Sequence, residues 1–295
     1  MTNSQNQSRP KRFAITASDR YLEVFNAFVS AGWEPIKLFT LPTSGFLNDN
    51  KAVIARAQQL GMEIQMSRLD DASLAGLARM DCDLLVVASY DWRIGRWQDY
   101  IPRAVNFHPS PLPRYRGPYP LVQAILDEQT EWGVTCHKLA EEFDKGDILA
   151  QRIFPLTAHE CHESLDLRTQ MAMSRLAIDV ALNFEKVWSE ANPQVDGHYV
   201  GLWSDAERTL DFWKTISELD RQLRAFGNFQ CIAMLHGLQL HIQQAVVWPE
   251  THSLPPGTVV LSSAVRMVVA CCDGFVGITR WSLLPPHLTH VSRLI

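Results

Sequence analysis

An α/β fold with a mostly parallel, doubly wound sheet and a small β module behind it is what this sequence predicts. Three observations carry the prediction. Short apolar runs alternate with helical patterns through the first 188 residues. One of those runs, "DLLVVAS" (83–89), is apolar throughout, as a strand buried on both faces must be. Past residue 207 the alternation gives way to short strands and turns.

The elements follow in order. "RFAITAS" (12–18) reads as a first strand, and Leu22, Phe25, Phe28 and Val29 recur at helical spacing until Gly32 stops them. "EPIKLFT" begins a second strand, a helix covers 52–60, and "DLLVVAS" and "RAVNFH" (103–108) add two more strands. The stretch 189–205 loosens into a linker, a helix spans about 216–225, and five short β runs then suggest a small β-barrel or sandwich. The expected division is a tail over 1–11, an α/β domain over 12–188, a linker over 189–207 and a barrel-like domain over 208–295.

Composition narrows the class. The chain has 295 residues, 46% of them hydrophobic and 20% charged, with a formal net charge of −5. No apolar run approaches a membrane span, and the polar start "MTNSQNQSRPKR" lacks the apolar core of a signal peptide, so a cytoplasmic protein with no membrane partner is expected. Six cysteines form no CxxC pair and read as reduced thiols. "HECH" (159–162) has adjacent Cys161 and His162 and no second ligand pair with zinc spacing, so no metal is expected there and no function is assigned to it.

The chemistry concentrates in "NFHPSPLPRYRGPYP" (106–120). Side chains alternate along a strand, so Asn106 and His108 share one face and Phe107 takes the other. The prolines that follow cannot donate ladder hydrogen bonds, so the strand ends near His108. Both polar groups therefore stand at the carboxyl end of a parallel strand, where open α/β sheets bind ligands. "DLLVVAS" delivers Tyr90, Asp91 and Trp92 to the same edge. Asp144 and Asp147, in the turn "EEFDKGD", are candidates for a third polar group; turn aspartates commonly serve only their own backbone.

The order Asn106-x-His108, Ser110-x-Leu112-Pro113-x-x-Arg116-Gly117 and Asp144-Lys145-Gly146-Asp147 resembles the 10-formyltetrahydrofolate-dependent formyltransferases, over nearly the whole chain. The resemblance implies a Rossmann-like catalytic domain with an OB-like C-terminal barrel. It makes Asn106, His108 and Asp144 the catalytic trio, and 10-formyltetrahydrofolate the formyl donor, without a metal. It places the folate against the loops of Tyr90, Trp92, Arg93 and Ile94 and of Leu139, Ala140, Glu141, Glu142 and Phe143. Ser110, Arg114 and Arg116 are candidates for the acceptor; bracing the proline loop is the equally weighted alternative for the two arginines.

The acceptor is argued from charge. Residues 1–207 hold 20 Lys and Arg against 27 Asp and Glu, and 208–295 hold 7 against 5. The stretch 39–53 shows no basic cluster, so tRNA is expected to be an unlikely partner, and a small amine is favoured: an amino sugar nucleotide or a hydroxyornithine-like compound. Methionyl-tRNA formylation, hydrolysis of the donor and non-catalytic folate binding stay open as alternatives. The C-terminal module is expected to help hold the acceptor or to form a homodimer contact.

Overall fold

The computed structural model describes residues 9–41 and 49–284. Most of the expected tail and part of the 39–53 stretch lie outside the described residues.

Seven strands form one sheet in the order β3-β2-β1-β4-β5-β6-β7. They are β1 (Arg12–Ala17), β2 (Glu34–Phe39), β3 (Glu63–Gln65), β4 (Leu84–Ala88), β5 (Ala104–His108), β6 (Glu131–Lys138) and β7 (Ile148–Pro155). The first five run parallel, and β6 and β7 are antiparallel additions at one edge. The run predicted from "DLLVVAS" is fully buried along β4.

Helices α1 (Leu22–Ser30) and α5 (His162–Leu182) cover one face, where Phe13, Ile15, Val86, Val105 and Phe107 meet Phe25, Phe28, Met173 and Leu176. On the other face Ala14, Leu85, Val87 and Ala104 pack under α3 (Asp71–Arg79) through Leu74 and Leu77. Helix α2 (Lys51–Gln59) reaches the core through Val53 and Ala57. Asp70 starts α3 by accepting a hydrogen bond from the Ser73 N–H at 2.8 Å, which satisfies one of the free donors of its first turn. The parity argument holds: Val105 and Phe107 face the α1/α5 side, so Asn106 and His108 face the other.

Two short helices, α4 (Pro120–Leu126) and α6 (Phe184–Ser189), flank this sheet, and α7 (Asp205–Arg208) and α8 (Ile216–Phe226) lead into the C-terminal unit. There β8 (Cys231–Leu235), β9 (Leu238–Pro249), β10 (Val259–Ser262), β11 (Met267–Ala270) and β12 (Gly274–Ser282) make an antiparallel sheet ordered β10-β11-β12-β9-β8. It is a curled half-barrel with β8 and β10 at its edges.

The two units share a core. Leu121 and Ile125 of α4 pack in one cluster with Leu219 and Phe226 of α8 and with Ile242 and Val276 of the second sheet. Phe229 is fully buried and meets the rings of Tyr119, Trp203 and His162 at 4.7–5.1 Å. The stretch 189–205 is no loose tether either. It carries Tyr199 alongside Arg116 as a parallel bridge, and Gly197 lies where a Cβ would fall 2.0 Å from the Pro113 carbonyl oxygen. The apolar patterns around it end there because the contacts are polar and backbone-mediated.

Phe229→Ala should cost about 3–5 kcal/mol, the usual range for emptying a buried aromatic site. Because its contacts come from both units, thermal unfolding should stay a single transition that moves down as a whole; two separated transitions would refute the shared core.

Candidate active site

The carboxyl ends of β1, β4 and β5 open onto a cavity of about 470 Å³. Asn106, His108, His137 and Asp144 form part of its wall.

Strand register brings the first three together. Antiparallel pairing sets His137 of β6 directly across from Asn106, and Thr135 across from His108. Four residues on two strands thus share one face. The proline loop after β5 is pinned to the same strand. Thr135 donates its hydroxyl to the Ser110 carbonyl at 2.7 Å, and the Trp132 indole N–H reaches the Pro109 carbonyl at 3.0 Å.

Asp144 arrives from the turn between β6 and β7, in a left-handed backbone conformation (φ 56°) that costs a non-glycine residue energy. The surroundings hold it there. Gly146 lies so close to β6 that a Cβ would sit 1.7 Å from the Lys138 carbonyl oxygen. Gln194, from the stretch between the two units, donates to the carbonyls of Asp144 (2.8 Å) and Gly146 (2.7 Å).

The carboxylate is the meeting point. Its Oδ2 accepts the Gly117 N–H at 2.9 Å, and its Oδ1 accepts from Asn106 Nδ2 at 3.2 Å and lies 3.4 Å from His108 Nδ1. Burial pushes the Asp144 pKa up. A proton on His108 and the Gly117 N–H more than offset that in the acid range where the carboxyl would itself titrate, so the group sits well below the usual carboxylate range. It is ionised at any physiological pH.

The histidine tautomers follow from their partners. A carbonyl can only accept, so His137 Nδ1 donates to the Lys138 carbonyl at 2.8 Å, leaving Nε2 to accept from Asn106 Nδ2 at 3.0 Å. That fixes the Asn106 amide with its NH2 toward Asp144 and His137. His108 has acceptors at both nitrogens, the Tyr115 carbonyl 3.0 Å from Nε2 and Asp144 at Nδ1. Burial lowers the His108 pKa below its ordinary value, with Asp144 and Tyr115 pulling the other way. The neutral ring can satisfy only one of its two acceptors; a proton gained satisfies both.

All nine residues expected to contact the folate line the cavity: Tyr90, Trp92, Arg93, Ile94, Leu139, Ala140, Glu141, Glu142 and Phe143. They offer a flat ring system apolar walls and two loops of backbone, in a volume suited to a small-molecule ligand. Ser110, Arg114 and Arg116 are placed elsewhere. Ser110 is fully buried and donates to the Arg114 carbonyl at 2.9 Å. Arg114 pairs with Glu131 on the surface, and Arg116 holds Gln194 and the Val195 carbonyl. Both arginines brace loops, and none of the three lines the cavity. His137 went unnoticed in the sequence: alternation along "GVTCHK" puts it on one face of a strand, but its meeting with Asn106 depends on the antiparallel register with β5. His162, given no function from the sequence, starts α5 and also lines the cavity. Among the described residues no group of His, Cys, Asp and Glu is arranged to hold a metal. Nor is any described helix long and apolar enough to cross a membrane.

Residues 45–181 match the family model for formyl transferase, and residues 203–284 match that for the formyl transferase C-terminal domain. A methionyl-tRNA formyltransferase of Roseiflexus castenholzii is 33% identical over 220 residues, 70% of this chain and 68% of that protein. The chain belongs to the formyltransferase family. The methionyl-tRNA formyltransferase of Janthinobacterium sp. is 32% identical over 202 residues, which are 67% of this chain and 64% of that protein's length. Among solved structures, a variant of HypX from Aquifex aeolicus superposes with a TM-score of 0.69 at 19% identity. The match covers 92% of this chain but only 46% of HypX. An N-formyltransferase from Helicobacter canadensis, in complex with folinic acid and dTDP-3-aminofucose, gives 0.67 at 16% identity over 93% of this chain and all of that one. At such identities the likeness is one of fold.

These relatives correct one expectation. tRNA is not a disfavoured partner, because the sequence relatives are methionyl-tRNA formyltransferases. The charge argument fails for a physical reason. Net charge over 207 residues does not report the field at one surface, and many of those acids are spent in ion pairs such as Glu185 with Lys11 and Arg103.

His137→Phe, which keeps the ring volume but removes the acceptor, should leave the Asn106 amide free to turn. We expect kcat to fall about tenfold or more, with the melting temperature shifted by only a few degrees. Rescue by His137→Gln, whose carbonyl can accept, would show positioning; equal loss in both variants would point to a different role.

Proposed function

We propose that this chain transfers the formyl group of 10-formyltetrahydrofolate to the amine of an acceptor, with Asn106, His108 and Asp144 as catalytic residues. The convergence of an amide donor, an imidazole and an ionised carboxylate at one wall of a ligand-sized cavity carries the proposal.

The donor supplies an activated formyl carbon; the chain supplies donors, acceptors and a dry setting. Asn106 presents its NH2 at the cavity wall, held by Asp144 and His137; a formyl oxygen seated against it shares one of these N–H groups, which stabilises the negative charge that develops there, an effect worth up to about 3 kcal/mol for a preorganised donor. His108 acts as a base rather than as a second donor. Its Nε2 faces the Tyr115 carbonyl, so Nδ1 is the working atom. Nδ1 takes the proton from the attacking amine, and the resulting imidazolium sits between two acceptors. Asp144 stabilises that cation and stays ionised, and the proton on Nδ1 is then available to the departing folate nitrogen.

The sequence relatives make methionyl-tRNA the first acceptor to test, and the Helicobacter fold neighbour makes an amino sugar nucleotide the second. Tetrahydrofolate release should require one of these amines. Release without any amine would indicate hydrolysis of the donor, and folate binding without release would indicate a binding protein. Asn106→Ala, His108→Ala and Asp144→Ala should each abolish turnover with the fold intact; near-normal activity in a folded variant would overturn the mechanism.

A pH profile gives a separate check. The neutral form of His108 is the active one, and its pKa lies below the ordinary histidine value of 6.5. kcat should therefore hold steady from neutral pH down to about 6.5 and decline only below that. The limb should stay in place when acceptors of different amine basicity are compared. A decline beginning well above 6.5, or one tracking the amine, would remove His108 as the base.

A further inference from the structure

The cavity has a second half that none of this chemistry uses. Tyr90, Ile94 and Leu139 belong to the core on one face of the seven-stranded sheet, whereas Tyr21 belongs to the α1/α5 core on the opposite face. All four line the same cavity, so it passes over the carboxyl edge of the sheet. On the far side its wall is made by Arg20, Tyr21, Tyr119, His162 and Tyr199.

Two polar groups there are left wanting. The Arg20 guanidinium gives one amino group to Asp166, but its buried Nε has no hydrogen-bond partner. Tyr21 is 5% exposed, and its buried hydroxyl also has no partner. Leaving a buried donor unmade costs about 1–3 kcal/mol, and more when it is charged. Neither atom is open to solvent, so a ligand would have to pack against these side chains to supply the missing partner.

The charge of this half is specific. Asp166 is already shared with the Gln170 amide at 2.9 Å. His162 is pushed down to about 4, by burial first and then by the charge of Arg20, so it is neutral at physiological pH. Asp91, Glu141, Glu142 and Asp144 are the acids on the cavity wall; Glu141 and Glu142 belong to the donor-side loop, and Asp144 is committed to Asn106, His108 and Gly117. Arg20 is therefore the fixed cation on this side, and its planar fork suits an oxyanion.

We infer that the Arg20–Tyr21 half of the cavity is an anion subsite that holds a phosphate or carboxylate borne by the acceptor amine, across the sheet edge from the donor. That the ligand is the acceptor rests on the formyltransferase reading; that it is an anion does not. Holding the acceptor by a group away from its amine orients the amine toward the formyl carbon without occupying Asn106 or His108.

Calorimetric titration of the full-length protein tests it, with inorganic phosphate and glycolate as probes and folinic acid as a control. One of the two anions should bind the wild type at millimolar concentration and at least tenfold more weakly to Arg20→Met. Tyr21→Phe should weaken it severalfold, and folinic acid affinity should be unchanged in both. Which anion binds distinguishes a phosphate from a carboxylate source. Equal anion affinity in wild type and Arg20→Met, or binding of neither anion to the wild type, would overturn the inference. If Arg20→Met fails to fold because Asp166 loses its partner, Tyr21→Phe decides by the same comparison. Once an acceptor is identified, Arg20→Met should raise its KM at least tenfold with the donor's KM unchanged. A wild type that fails to bind folinic acid would instead sink the formyltransferase reading and leave the anion result to stand alone.

Discussion

An ionised carboxylate buried at the end of a sheet is the constraint around which this site is built. Asp144 is 10% exposed and would be protonated at such a depth if left alone. It is not left alone: one oxygen takes the Gly117 N–H, and the other faces Asn106 and two imidazoles. Each of those partners is then constrained in return. Gly117 has a φ of 103° and no room for a Cβ, which would fall 2.2 Å from the Val200 carbonyl oxygen. Asn106 must present its NH2, and His137 must present a bare nitrogen to it. A single charge thereby sets the rotamers and tautomers of a whole wall.

The backbone beneath that charge is held just as firmly. Asp144 has left-handed dihedrals, which would relax in a free turn. Gln194 forbids this by binding two carbonyls of the turn, and Arg116 fixes Gln194 by taking its side-chain oxygen at 3.0 Å. The strut between the two units is thus part of the scaffold that holds Asp144 in the cavity wall, and the C-terminal half-barrel anchors the strut through the shared core.

Much of this was legible in the sequence, and the boundary between what was and was not has physical causes. Strand parity placed Asn106 and His108 on one face, and the prolines placed the end of β5. Those inferences need only local geometry. His137 needed knowledge that β6 runs antiparallel to β5 in one particular register, which no local pattern supplies. Gln194 lies some fifty residues from the turn it holds. Arg114 and Arg116 were readable as cations but not as partners, because Glu131 and Gln194 reach them only through folding. Arg20 carried no signal in the sequence, because only the folded α5 brings Asp166 and His162 to its side.

The path of the cavity over the sheet edge explains how so few side chains could serve the proposed chemistry. A parallel sheet buries both faces, and its strand ends are where ligands on the two sides can meet. Tyr90 and Leu139 build from one face and Tyr21 from the other, and β5 ends where both reach. Asn106 and His108 therefore stand where two bound molecules would touch. Because the sheet fixes that meeting point, acceptor preference can change through the far wall without disturbing the charge network around Asp144. Under the proposed function, an arginine in that wall would alter which amine is held while leaving unchanged how the formyl group is moved.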